Sequence, residues 1–216
     1  MKFTNGLLTL ACIWVLSGCS LFFAKQESTP AVQSDAAEQA TLSPIQKQAQ
    51  ALKTQVNRYK EQASQLSAAI SSDTREQFEQ AMRLKQQGKL SDGKKGLLQL
   101  TQHSPNLSGV WLQLALINKE LGEGSPSNNQ AIMTESLGYL NNAVSANQDN
   151  YYAHNELAQL LRQQGQFQQA LRHYELAIKS WPAFAEAYLN RGILYDLYLG
   201  EKQLALQDYQ LYQALS

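Results

Sequence analysis

The chain has 216 residues, with 18 basic and 18 acidic side chains and therefore no formal net charge. That balance argues against a nucleic-acid binder, which concentrates a basic excess on one face, while 44% hydrophobic residues supply enough apolar material for a packed core. Two cysteines cannot build a disulfide scaffold or a four-thiolate metal site, and 28 glutamines make a surface that is polar with few charges.

At the start of the chain, Lys2 precedes an apolar run from Leu7 to Leu16. The run is too short to span a bilayer and reads as a secretory signal. It ends in Leu16-Ser17-Gly18-Cys19, which resembles the bacterial lipobox, in which the cysteine is acylated and the chain is cut just before it. The resemblance implies a signal peptide over 1–18, lipidation at Cys19 and, since Cys12 leaves with the signal, a mature chain without a free thiol. Two or more acyl chains hold a protein stably on a bilayer. Ser20 stands where an aspartate would retain such a lipoprotein in the inner membrane, so the same resemblance implies the outer membrane, facing the periplasm. Beyond Cys19, the stretch to residue 44 is rich in Ser, Thr, Ala, Gln and Glu with Pro30 and Pro44, and reads as a disordered tether.

From Ile45 the pattern changes. Ile45, Ala49, Leu52, Val56, Tyr59, Ala63, Leu66 and Ile70 recur at alternating steps of four and three, with polar residues between them. The spacing predicts one amphipathic helix over 45–70 with a narrow apolar seam, and Pro44 suits its first turn. Such a seam can pair with a second copy as a coiled coil, cap the rest of the domain, or fill a groove in it.

The remainder repeats. Around Gly165 stand His154, Leu157, Ala158 and Leu161 on one side and Ala170, Tyr174, Ala177 and Pro182 on the other. Small residues at 158, 170 and 177 allow two helices to approach closely, and the large ones fill the gaps between them. The frame recurs as Trp111, Leu114, Ala115, Gly122 and Ala143, with an insertion over 123–131 read as a polar loop. It recurs again as Ala81, Leu84, Gly88 and Leu97, and as Tyr188, Gly192, Tyr195, Ala205 and Tyr209 with a turn one residue longer. Asn118 and Arg191 occupy positions where a large apolar residue is usual, and Asn118 reads as a local weakness. The unit starts are 74, 108, 151 and 185. This pattern resembles the tetratricopeptide repeat, a 34-residue helix–turn–helix unit, over about two thirds of the chain. The resemblance implies an all-α solenoid of four units (74–107, 108–150, 151–184, 185–216) preceded by the amphipathic helix.

No chemical centre emerges from the sequence. His103, His154 and His173 lack metal-ligand spacing, and His154 falls on a core position. Ser91-Asp92-Gly93-Lys94 spells S-x-x-K without a K-T-G partner and reads as a helix start capped by Ser91 or Asp92. Neither a metal nor a cofactor is expected, and the chain is not expected to be an enzyme.

The family resemblance instead implies an interaction module. Its first helices line a groove through unit positions 2, 5, 6, 9, 12 and 13. Here these include Leu112, Leu116 and Lys119 in the second unit, Tyr152, Asn155, Gln159 and Arg162 in the third, and Leu189, Asn190, Ile193 and Leu197 in the fourth. An asparagine at 190 can both donate to and accept from a ligand backbone, while Arg162 and Lys119 favour acidic groups. The partners implied are periplasmic or outer-membrane proteins or peptides, as in lipoproteins that act as adaptors for cell-wall hydrolases or assist pilus secretins. A subunit that oligomerises through its heptad helix and an unrecognised envelope enzyme are the competing readings. Leu204, Leu206, Tyr209, Leu211, Tyr212 and Leu215 crowd the last helix, so that end is expected to self-associate or meet a partner.

Overall fold

The computed structural model describes residues 42–67, 69–123 and 129–216. The expected signal sequence, Cys19 and the expected tether up to residue 41 lie outside the described residues.

Ser43 opens with a capping box. Its hydroxyl accepts from the Gln46 N–H at 3.3 Å, the Gln46 side chain accepts from the Ser43 N–H at 2.9 Å, and Pro44 takes the first helical position. Helix α1 (Pro44–Lys53) then stops. Thr54 turns its hydroxyl back onto Ala51 O at 2.8 Å, and Asn57 starts α2 (Arg58–Ser67) by accepting from the Lys60 N–H at 2.9 Å. The expected single helix over 45–70 is therefore two short ones. Val56, a seam residue, lies in the break and is 62% exposed.

Eight helices follow in packed pairs: α3 (Ser72–Gln86) with α4 (Leu90–His103), α5 (Ser108–Glu123) with α6 (Asn129–Ala146), α7 (Tyr151–Gln163) with α8 (Phe167–Ser180), and α9 (Ala185–Leu194) with α10 (Lys202–Leu215). The architecture is an all-α solenoid, and no strand occurs among the described residues. The expected starts at 108, 151 and 185 are the first residues of α5, α7 and α9, while the first pair begins slightly early, at Ser72. Ala158 and Ala170 are fully buried among Leu157, Leu161 and Tyr174, and Ala177 is fully buried with Tyr151 and Phe184, as the repeat requires. Gly88 and Gly165 turn their pairs at φ of 74° and 75°, a left-handed conformation that side chains with a Cβ resist. The longer fourth turn is a single π turn over Tyr195–Leu199.

Three local expectations need correction, and one departure from the repeat finds its partner. The insertion adds helix as well as loop: α6 has 18 residues against 14 in α8, and both end at the same distance before the next unit, so Asn129–Ile132 form an added turn. Residues 124–128 lie outside the described residues. Asn118 is not a weak point. It is 2% exposed, accepts from Lys94 Nζ at 2.7 Å, and donates to Ile132 O and Ser136 Oγ at 3.0 Å each. The cap of α4 is Lys89, without a side-chain bond, and neither Ser91 nor Asp92 serves. Arg191 fills its apolar position as an ion, bidentate to Asp208 at 2.8 Å per contact.

The N-terminal helices lie along the edge formed by the turns between units. In α1, Ile45, Ala49 and Leu52 pack on Tyr188, Leu211 and Leu215. Further along, the Tyr59 ring meets Tyr151 edge-on at 5.9 Å, Gln62 donates to Asp149 at 2.7 Å, and Lys60 sits 5.5 Å from the Trp181 ring. Tyr59, Ala63, Leu66 and Ile70 face Phe78, Leu107 and Val110 across an opening of about 290 Å³. Most of the seam is thus spent on its own chain, with Val56 and Leu66 left exposed, and it fills no groove between first helices. On α10, α1 covers Leu211 and Leu215 as a capping helix, while Leu204 and Leu206 of the same helix stay exposed. Full burial of a leucine is worth about 1.5–3 kcal/mol, which is what that cap protects.

Candidate functional site

Three first helices, α5, α7 and α9, carry the expected groove residues, and α7 and α9 are in direct contact. Asn190 Nδ2 donates to Asn155 Oδ1 at 3.0 Å. Asn155 is buried, so this bond fixes the carboxamide of Asn190 on the half-buried face beside Ile193 and Leu189. At the next residue of α7, Lys119 reaches across from α5 to Glu156 at 3.2 Å, and Gln159, one helical turn on, donates to the other oxygen of that carboxylate at 3.1 Å. Beneath this polar line a cavity of about 390 Å³ opens between α5, α6 and α7. Its apolar wall includes Leu116, Ile132, Met133 and Leu160, and Lys119, Glu156, Gln159 and Gln163 stand around it.

Arg162 lies on the same helix. Its Nε is buried with no hydrogen-bond partner among the described residues, and its guanidinium carbon is 5.8 Å from the centre of the Tyr198 ring. The buried Tyr174 hydroxyl is pushed up to about 12, chiefly by desolvation and partly countered by the Arg162 charge. It too has no hydrogen-bond partner among the described residues. No ion pair ties Arg162 among those residues, whereas Lys119 is paired, so the two expected cations differ in availability.

The structure brings Leu116, Lys119 and Gln159 together around one cavity and joins Asn155 to Asn190. It separates the others. Leu112 is 6% exposed and belongs to the main core, so it is not a groove residue. The Tyr152 ring lies tilted 4.1 Å from Tyr151 and meets Phe184 edge-on at 5.3 Å, within the aromatic edge that receives Tyr59. Leu197 is exposed on the π turn beside Tyr198. Glu156 and Gln163 escaped the sequence reading although they occupy the sixth and thirteenth positions of their unit. Ile132 and Met133 carried no signal, because they lie on second-helix positions that face away from the groove in a regular repeat.

Residues 158–196 match a family model described as a TPR repeat, the tetratricopeptide repeat. The chain carries a tetratricopeptide repeat over these residues. Solved structures of the same fold include a MamA crystal structure (TM-score 0.56, 16% identity, 70% of this chain and 83% of that one). A fragment of MamA from Desulfovibrio magneticus RS-1 superposes with a TM-score of 0.54 at 17% identity, over 68% of this chain and 77% of that one. A tetratricopeptide repeat protein from Parabacteroides merdae matches with a TM-score of 0.54 at 22% identity, over 65% of this chain and 52% of that one. At these identities the likeness is one of fold. No curated protein matches the sequence.

The histidines complete the picture. His154 Nε2 faces the Gln148 carbonyl at 3.0 Å and must carry the hydrogen, so its Nδ1 accepts from His173 Nδ1 at 2.9 Å. Among the described residues no cluster of three or more His, Cys, Asp or Glu side chains could hold a metal. Lys94 of the S-x-x-K stretch bonds Asn118 and, at 2.8 Å, Glu135, which makes it a strut between α4, α5 and α6.

Proposed function

We propose that this chain is a lipid-anchored scaffold of the bacterial envelope that binds segments of partner proteins through the α5–α7–α9 face. The repeat fold is generally an interaction module, and the partner is not written in the fold. The observation that carries the reading is the open face itself. The N-terminal helices spend their apolar residues along the turn edge and on α10, while Asn190, Gln159 and the cavity beside them stay uncovered by α1 and α2. The role is one of binding and not catalysis, and Lys94, the lysine of the S-x-x-K stretch, is held as a structural strut.

Anchoring through Cys19 rests on the Leu16-Ser17-Gly18-Cys19 tetrapeptide, and no helix among the described residues is long and apolar enough to cross a membrane. Ser20 favours the outer membrane, with the repeats in the periplasm. Two measurements test the reading. Cys19→Ala should lose acyl labelling and release the chain from membranes washed at high pH; retention of the variant in the membrane fraction refutes the anchor. Asn190→Ala with Gln159→Ala should keep the helicity of the parent, lower the melting temperature only by the loss of the Asn155 and Glu156 bonds, and weaken partner capture from detergent-solubilised envelopes. Unchanged capture by this double variant refutes the face.

A further inference from the structure

We infer that the cavity between α5, α6 and α7 is a socket for one large uncharged side chain, a leucine, methionine or phenylalanine, presented by a partner peptide segment. The inference rests on the binding reading of the same face and names what that face selects.

The socket exists because the second unit is longer than its neighbours. Ile132 belongs to the added first turn of α6, and Gly122 to the extension of α5, which has 16 residues against 13 in α7. A Cβ on Gly122 would stand 2.9 Å from Ile132 Cγ2, so glycine there lets the added turn close against α5. The wall that results is apolar, and Met133 supplies an unbranched, polarizable side chain that adapts to different occupants. About 390 Å³ is far more than a packing void and falls within the range of ligand sites.

Charge decides the class of occupant. The mouth holds one cation and one anion, Lys119 and Glu156, and they neutralise each other at 3.2 Å, with Gln159 donating to the same carboxylate. An acidic occupant has to take Lys119 from Glu156, and a basic one has to take Glu156 from Lys119 and Gln159. With the Lys119 side chain 51% exposed, either exchange trades one ion-pair contact for another and gains little. A neutral apolar side chain disturbs neither bond and covers the hydrocarbon wall. Gln159 and Gln163 at the rim each offer a donor and an acceptor to the backbone on either side of it. This reverses the expectation that Lys119 recruits acidic groups.

Methionine methyl groups give a direct readout, because the chain has three methionines and Met133 lines the socket while Met82 lies on α3. The full chain, labelled with methyl-¹³C methionine and held in detergent, is titrated with blocked tripeptides of the form acetyl-Ala-X-Ala-amide. With X as Leu or Phe, the Met133 methyl should shift saturably and Met82 should not. Apparent affinity should exceed that for X as Glu or Lys by at least about tenfold, the scale on which an apolar pocket discriminates. Gln159→Trp, which places an indole over the opening, should abolish the shift at unchanged melting temperature, and Leu116→Asn should weaken it through the wall. Equal responses to all four peptides overturn the socket. So does a Met133 shift that appears on raising protein concentration without peptide, or one that depends on residues 20–41, since the occupant is then a second copy or the chain's own tether. If the tripeptides fail while partner capture still responds to Asn190→Ala with Gln159→Ala, the socket falls and the binding face stands. If capture is indifferent to that pair, the face itself falls.

Discussion

Replacing Arg191 by leucine restores the residue type usual at that repeat position, and it should destabilise the protein. Arg191 Nε and Nη2 each contact one oxygen of Asp208 at 2.8 Å, and the two side chains are 18% and 4% exposed. The bidentate pair also raises the guanidinium pKa against the opposing effect of burial. Arg191→Leu leaves the Asp208 carboxylate buried between α9 and α10 without its counter-ion, an error worth about 3–5 kcal/mol. At roughly 2–4 °C per kcal/mol for a chain of this size, the melting temperature should fall by about 6–20 °C. Arg191→Leu combined with Asp208→Leu removes both charges and should recover most of the loss, since a buried pair and its hydrophobic replacement are often close in energy. Urea unfolding of the parent, both single variants and the double variant, followed by far-ultraviolet circular dichroism, gives the coupling energy directly. An Arg191→Leu variant within about 0.5 kcal/mol of the parent, the range of ordinary surface substitutions, would show that water reaches Asp208 and that the pair is not a core element.

Three further outcomes follow from the packing. Removing residues 42–57 should uncover Tyr188, Leu211 and Leu215 and make the remaining chain self-associate, measured by sedimentation velocity at two concentrations; a monomer of unchanged stability counts against α1 as a cap. Asn118→Leu should cost about 1–3 kcal/mol, because it strips Lys94 of one bond and leaves the Ser136 hydroxyl unpaired; denaturant unfolding measures it, and a gain in stability contradicts the network. Burial depresses His173 to about 4 and lowers His154 as well, with the neighbouring imidazole and Arg172 adding to the shift of His173. A histidine depressed in the folded state leaves the unfolded chain binding protons first. This share of stability is therefore complete above about pH 6.5, the unperturbed value, and is lost as pH falls toward about 4. His173→Phe should flatten the stability profile across that window, and an unchanged slope rejects the assignment.

The solenoid was legible because its signals are local and recur. Turn glycines, buried alanines and tyrosines repeat at fixed offsets, so α5, α7 and α9 begin where the repeat frame starts its units. The break between α1 and α2 was not, since apolar residues keep their heptad spacing through 54–57 while Thr54 and Asn57 end one helix and start another by side-chain bonds. Asn118 and Arg191 were visible as departures, but their partners Lys94, Ser136 and Asp208 lie on other helices and no spacing announces them. The same holds for the site. Positional rules reach Leu116, Lys119 and Gln159, yet they cannot show that Lys119 is already paired, that Leu112 turns into the core, or that an insertion lengthens α6 enough to bring Ile132 into the wall.

The most direct test of the account places a photo-crosslinking amino acid at two positions of the full chain in living cells. One is Gln159, on the open face beside the cavity; the other is Leu176, which is 40% exposed on the second helix of the same unit. Binding through the α5–α7–α9 face predicts a discrete protein adduct from position 159 that disappears with Asn190→Ala, and none from position 176. Adducts from 176 alone, or from both positions alike and indifferent to Asn190, contradict it.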